Sequence, residues 1–266
     1  MPRKLQAFYV PFLIFVSFFS LLLTVSIAFF PPQIRPYFQW RKPFTGLTFA
    51  LICALGMIAV FFPRKCSKIF HENSKKKSGD TSIPRREKFQ KSSKILGLVL
   101  THGHHPEYES FLHHEFKVGE KTFCVACMGL FSGALASFLG TIMYFFFGWA
   151  FGPTYSLWVV FGVLGVALGI LQYVYFDAPW RLVRFFLNAF FIIGMFLLLT
   201  GIDAIAQSLL LNLFVIILCI FWLSTRILLS KRIHERIYHA VKSAVSHKKE
   251  GKLSVYGLAR KLRRQL

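Results

Sequence analysis

The sequence predicts an all-α integral membrane protein with about six transmembrane helices, and three observations lead there. Apolar residues make up 55% of the 266, above the roughly 45–50% of ordinary soluble domains. The net charge is +21, yet only 16% of residues are charged, so the basic residues are crowded into a few wet segments. Apolar runs of spanning length recur along the chain. The 32 Phe exclude a disordered chain. Five cysteines in 266 residues, with Cys53 and Cys219 inside apolar runs, exclude a secreted disulfide scaffold.

A spanning helix needs roughly 20 mostly apolar residues to cross about 30 Å of hydrocarbon. Six segments qualify: Phe8 to Phe30, Phe44 to Phe62, Met128 to Phe151, Tyr155 to Phe176, Leu182 to Thr200 and Leu209 to Leu229, each bounded by Pro, Gly or charge. The first begins after a basic Met1-Pro-Arg-Lys but ends in Phe-Phe-Pro-Pro rather than at a small-x-small site, so it reads as an uncleaved anchor. Lys and Arg accumulate on the cytoplasmic side of span ends. Of the 32 here, 29 fall in connections on one side, and only Arg35, Arg41 and Lys42 fall on the other. The expectation is a multi-pass protein of the cell (plasma) membrane with both termini cytoplasmic.

Small residues let helices in lipid approach closely. Gly129, Gly133 and Ser137 on the third span and Gly162, Gly165 and Gly169 on the fourth predict that these two pack as a tight antiparallel hairpin, with Gly152-Pro153 in the turn. A helix-packing partner or a homo-oligomer is compatible with such surfaces. The chain divides into an N-terminal two-helix hairpin (1–62), a basic flexible linker (63–94), a Cys/His segment with a four-helix unit (95–230) and a basic cytoplasmic tail (231–266). In the tail Ile233, Ile237, Val241, Ala244 and Val245 recur at helical spacing among Arg and Lys, the pattern of an interfacial amphipathic helix. Ser254 is placed to cap a second short helix. Linker and tail are suited to anionic lipid, each juxtamembrane Lys or Arg adding about 1 kcal/mol. Nucleic acid is not favoured, since Tyr238 and Tyr256 offer too few stacking groups among the charges.

Five of the nine histidines and two of the five cysteines fall in residues 101–129. Cys124 and Cys127 have the spacing that lets two sulfurs reach one metal, at the start of a long helix, where thiolate is favoured. Ile95 to Leu100 is an apolar run suited to a strand entering this site, and its extension would project His102 and His104 to one face. Pro106 can start a short helix in which His113 follows Glu109 by one turn. The predicted cofactor is zinc, bound by Cys124, Cys127, His102 and His104, with His105 and His113 in reserve and Glu107 or Glu109 as supporting carboxylate or base. A dithiol redox pair and the absence of special chemistry are the alternatives. Asp177, Arg181, Arg184 and Asn188, at spacings of four, three and four, form a second polar group at the entry of the fifth span. It reads either as snorkelling arginines with an Asp177–Arg181 pair or as a site for an anionic headgroup or substrate. Asp203, on the far side, reads as a turn residue.

The stretches His102 through Phe111 and Cys124-Val-Ala-Cys127-Met-Gly129 resemble a family of prokaryotic multi-spanning membrane proteins, a domain of unknown function. That family carries Cys-His-x-x-Pro-Glu-Arg-Ser-Phe followed by Cys-x-Arg-Cys-x-Gly at the start of a span. Both cysteines and Gly129 match, as do Pro106, Glu107, Ser110 and Phe111. Ala126 stands where the family has Arg, one residue is extra between Glu107 and Ser110, and His102 takes the place of the leading cysteine. The resemblance implies a prokaryotic membrane protein and no particular reaction.

Two function classes follow. In the first, a closed four-ligand zinc site is structural and presents an interaction surface. In the second, a three-ligand zinc with an activated water serves a membrane-embedded hydrolase acting on an anionic lipid-like substrate. No nucleophile elbow, phosphate-binding glycine loop or His-Glu-x-x-His supports the second independently.

Overall fold

A computed structural model describes residues 3–31, 38–61, 91–95, 98–102, 115–118, 121–149, 154–174 and 180–249. Six apolar helices dominate it. They are α1 (Arg3–Phe29), α2 (Arg41–Phe61), α3 (Val125–Thr141), α4 (Tyr155–Leu171), α5 (Arg181–Ala206) and α6 (Leu209–Lys249). Helix α3 runs on through a π-helical turn at Ile142–Phe146, so the apolar stretch Val125–Phe146 reaches 22 residues. Five of the six are long and apolar enough to cross a membrane, and α4, at 17 residues, is the shorter sixth. This is a membrane protein. The spans predicted from apolar runs all appear as helices, with boundaries shifted by a few residues.

Helix α5 is the centre of the bundle, because both glycine-bearing helices press on it rather than on each other. A Cβ added to Gly129 would lie 2.4 Å from the Phe185 carbonyl oxygen, and one on Gly133 would lie 2.5 Å from that of Ala189. From the other side a Cβ on Gly165 would lie 2.6 Å from the Phe190 oxygen, and Gly194 of α5 itself faces Gly162 and Gly165. The expected hairpin between the third and fourth spans is thus replaced by a three-helix layer, α3–α5–α4. The small residues were correctly read as contact surfaces, but their shared partner lies later in the chain.

Helix α6 closes the layer, and its Trp222 Nε1 donates to Ser20 Oγ of α1 at 2.9 Å. Helix α1 lies against α4, α5 and α6, whereas α2 lies against α3, its π-turn and α6. The first two helices therefore dock separately onto the four-helix unit. Their hydroxyls are satisfied inside their own helices, Ser17 and Thr24 donating to the carbonyls of Leu13 and Ser20, as hydrocarbon surroundings require. Between α3 and α4, over Ile193, Phe196 and Leu197 of α5, a cavity of about 520 Å³ opens beside Ser137, whose buried hydroxyl has no partner among the described residues.

Beyond the spans, α6 continues without a break to Lys249, 41 residues in all. The tail stripe beginning at Ile233 is therefore the extension of the sixth helix, not a separate interfacial helix; no Gly or Pro interrupts the sequence there to let it turn. Residues 250–266, with the cap expected at Ser254, lie outside the described residues.

The segment before α3 contributes two antiparallel hairpins. Strand β1 (Lys91–Ile95) pairs with β2 (Leu98–His102), and β3 (Glu115–Val118) pairs with β4 (Lys121–Cys124). The Ile95 to Leu100 run is not one strand, because β1 ends at Ile95 and β2 begins at Leu98. In the second hairpin Phe116 stands opposite Phe123, and Glu115 opposite Cys124. The first hairpin lies against β4, and β2 also approaches α2. Most of the expected linker, 63–90 of 63–94, lies outside the described residues.

Candidate functional site

Two polar clusters occupy opposite ends of the bundle. At one end β4 delivers its last residue, Cys124, straight into α3 as the residue preceding the first turn (φ −79°, ψ 122°). Cys124 is buried, and Cys127 one turn on is half-buried. A hydrogen bond joins the two side chains. All four described cysteines are free thiols. His102 is the last residue of β2, opposite Lys91. The other predicted ligands and carboxylates, His104, His105, His113, Glu107 and Glu109, lie outside the described residues. Among the described residues no three His, Cys, Asp or Glu side chains gather as a metal site. What the described part supplies is two cysteine side chains at two-residue spacing, at the start of α3.

Beside the cysteines lies a hydrogen-bonded group that sequence reasoning recovered only in part. Arg184 and Asn188, from the first two turns of α5, are buried, while Arg181 is exposed and Asp177 lies outside the described residues. Asn188 is the hub. Its Nδ2 donates to the Arg184 carbonyl at 2.6 Å, and its Oδ1 accepts from Tyr173 Oη at 3.2 Å, Gln172 Nε2 at 3.3 Å and Arg226 Nε at 3.1 Å. Arg226 Nη2 also donates to Asn188 Oδ1. The cation stacks over the rings of Tyr173 and Phe191, 5.2 and 5.7 Å from their centroids. By sequence Arg226 stands among the basic residues that follow the sixth span. It is 4% exposed, because the last turns of the span carry it onto Asn188. The signal available in the sequence was its position: Trp222, Thr225 and Arg226 share a helix face with the core residue Cys219.

At the opposite end Asp203 is no turn residue. It is 0% exposed in the last turn of α5, where the negative end of the helix dipole disfavours a carboxylate. Three elements compensate. Arg41 of α2 pairs with Oδ1 at 2.5 Å and donates to the Asp203 carbonyl at 2.9 Å. Asn212 Nδ2 of α6 donates to Oδ1 at 2.6 Å, and Tyr144 Oη of the π-turn donates to Oδ2 at 3.1 Å. Asn212 also donates to Thr45 Oγ1, and Lys42 lies over the Tyr144 ring. Gln207, in the left-handed region at φ 52°, closes α5 by donating its N–H to the Asp203 carbonyl. This cluster fastens α2, α3, α5 and α6 together and leaves the carboxylate fully engaged, so its arrangement is that of a fastening.

Compared with protein-family models, with curated proteins and with solved structures, the chain matches none; the resemblance seen at 102–111 and 124–129 rests on those residues alone.

Proposed function

We propose that this chain is a multi-pass plasma-membrane protein, both termini cytoplasmic, in which Cys124 and Cys127 hold a zinc-type ion with histidines of the 102–113 segment. The role is structural, tying the segment that carries the two hairpins to α3 and presenting a surface for interaction. One observation carries the reading: the two sulfurs meet at the start of α3, at the end of a strand that leads them there. A metal ion would displace the protons of both thiols, and a tetrahedral site needs two further donors of the kind His102 and His104 provide. Elemental analysis of purified protein should find about one zinc per chain, lost in Cys124→Ser and Cys127→Ser. Metal-free protein would remove the reading.

The second reading is a dithiol redox pair, and the direct hydrogen bond between the two thiols favours it. It predicts a reversible Cys124–Cys127 disulfide in protein as isolated, and no metal.

A further inference from the structure

Helix α3 starts without a side-chain cap. Cys124 takes the position that Ser, Thr, Asp or Asn usually fills, and its side chain makes no capping hydrogen bond. Gly129, two residues after Cys127, supplies an anchor of another kind. A Cβ there would lie 3.0 Å from the Asn188 Cβ and 2.4 Å from the Phe185 carbonyl oxygen, so the start of α3 rests backbone-close on α5 at Asn188. That residue is itself 0% exposed and held from three directions. Gln172 and Tyr173 donate to its Oδ1 from the end of α4, Arg226 donates from α6, and its own Nδ2 donates back to the Arg184 carbonyl of α5. One side chain thus gathers α4, α5 and α6 beneath the turn that carries both sulfurs.

We propose that Asn188 is the positioning residue of the cysteine pair, fixing the first turn of α3, and with it Cys124 and Cys127, against α5. This role rests on the reading of the pair as a metal or dithiol centre. Groups that hold metal ligands in place typically contribute ten- to a hundredfold to metal affinity. Asn188 acts through packing on Gly129 rather than by a hydrogen bond to a sulfur, which puts its share at the lower end, about tenfold. A side chain that merely stabilised the bundle would affect unfolding and leave the chemistry of the sulfurs alone.

The test uses full-length protein in neutral detergent with cobalt(II) alone as the probe, because sulfur-to-cobalt charge-transfer absorption reports thiolate ligation directly. Arg226 is left in place, so that no charge changes in the network. Asn188→Ala should weaken cobalt binding about tenfold, and Gly129→Ala, which pushes α3 off its seat, should act in the same direction. Gly162→Ala makes the same kind of overpacking elsewhere, where α4 meets Leu198 and the Gly194 carbonyl; it should lower the unfolding midpoint and leave cobalt affinity unchanged. Tyr173→Phe removes one donor to Asn188 and keeps the ring, so a smaller loss there reads the network even if Asn188→Ala does not fold. Parent protein that binds no cobalt would overturn the metal reading alone, and the same variants are then compared in glutathione redox buffer. There Asn188→Ala should move the Cys124–Cys127 equilibrium about tenfold toward the dithiol, because loosened sulfurs have a lower effective concentration for each other, and Gly162→Ala should not. A parent showing neither chemistry would overturn both readings. Sulfur chemistry unchanged in Asn188→Ala and Tyr173→Phe, or weakened as much by Gly162→Ala as by Gly129→Ala, would overturn the positioning role.

Discussion

Replacing Asp203 by Asn tests whether the buried ion pair holds the bundle together. The amide keeps an acceptor oxygen for Asn212 and turns its NH2 toward the Tyr144 hydroxyl, which can accept instead, so the change removes charge while sparing most of the geometry. Arg41 is then left with its guanidinium facing a neutral group, its side chain 14% exposed against 0% for Asp203. Removing one partner of a buried pair costs about 3–5 kcal/mol. Arg41 is the first residue of α2 and reaches the bundle's end, so the lower figure, about 3 kcal/mol, applies. At roughly 2–4 °C per kcal/mol for chains of this size, Asp203→Asn should lower the midpoint of thermal unfolding in detergent by about 6–12 °C. Arg41→Gln alone should be similarly harmful, because it orphans the carboxylate. The double variant Arg41→Gln/Asp203→Asn carries no unpaired charge and should recover more than half of the loss, a coupling that only a direct interaction produces. A midpoint within about 2 °C of the parent for Asp203→Asn, or a double variant as unstable as the two singles added, would mean that the Arg41–Asp203 pair does not hold the bundle.

The glycine contacts make a paired prediction: Gly129→Ala should destabilise by about 1–3 kcal/mol through overpacking on α5, whereas Gly56→Ala, where an added Cβ meets nothing within 4 Å, should be neutral or stabilising in the same unfolding assay. Ser137→Ala removes a buried hydroxyl that has no partner among the described residues and should leave stability unchanged or raised; a loss above about 1 kcal/mol would reveal an interaction at the cavity. An impermeant thiol reagent should reach a cysteine introduced at Gln33 only from outside and one at Ser78 only from inside, and the reverse pattern would invert the orientation. A peptide covering Lys231 to Leu266 should bind anionic vesicles less tightly as salt rises; salt-independent binding to neutral vesicles would remove the electrostatic part of the tail's role.

The spans were legible because an apolar run of spanning length is a local property, and the glycine faces were legible for the same reason. Their partner was not. A smooth helix surface says that something packs closely, and in lipid any later helix can supply it, as α5 does for both Gly129 and Gly165. The two buried charges were hidden by a related ambiguity. At a span end, an Arg that snorkels and an Arg that turns inward look alike in sequence, and what separates Arg226 from a tail residue is Asn188, 38 positions away. Arg41, one of three cations on the sparse side of the charge count, is balanced by Asp203 across 162 positions. The cysteine pair was legible as a motif, and its placement at a strand-to-helix junction agrees. The run from Ile95 to Leu100 misled because apolar content alone does not reveal that the chain reverses after Ile95.

The proposed dithiolate metal centre at the head of α3 is read out by X-ray absorption at the zinc edge on metal-replete, full-length protein. Two sulfur scatterers at about 2.3 Å, with nitrogen or oxygen completing four-coordination, are expected, with one sulfur fewer in Cys124→Ser. Zinc surrounded by nitrogen and oxygen alone, or protein that binds no zinc while Cys124 and Cys127 close reversibly into a disulfide, would contradict it.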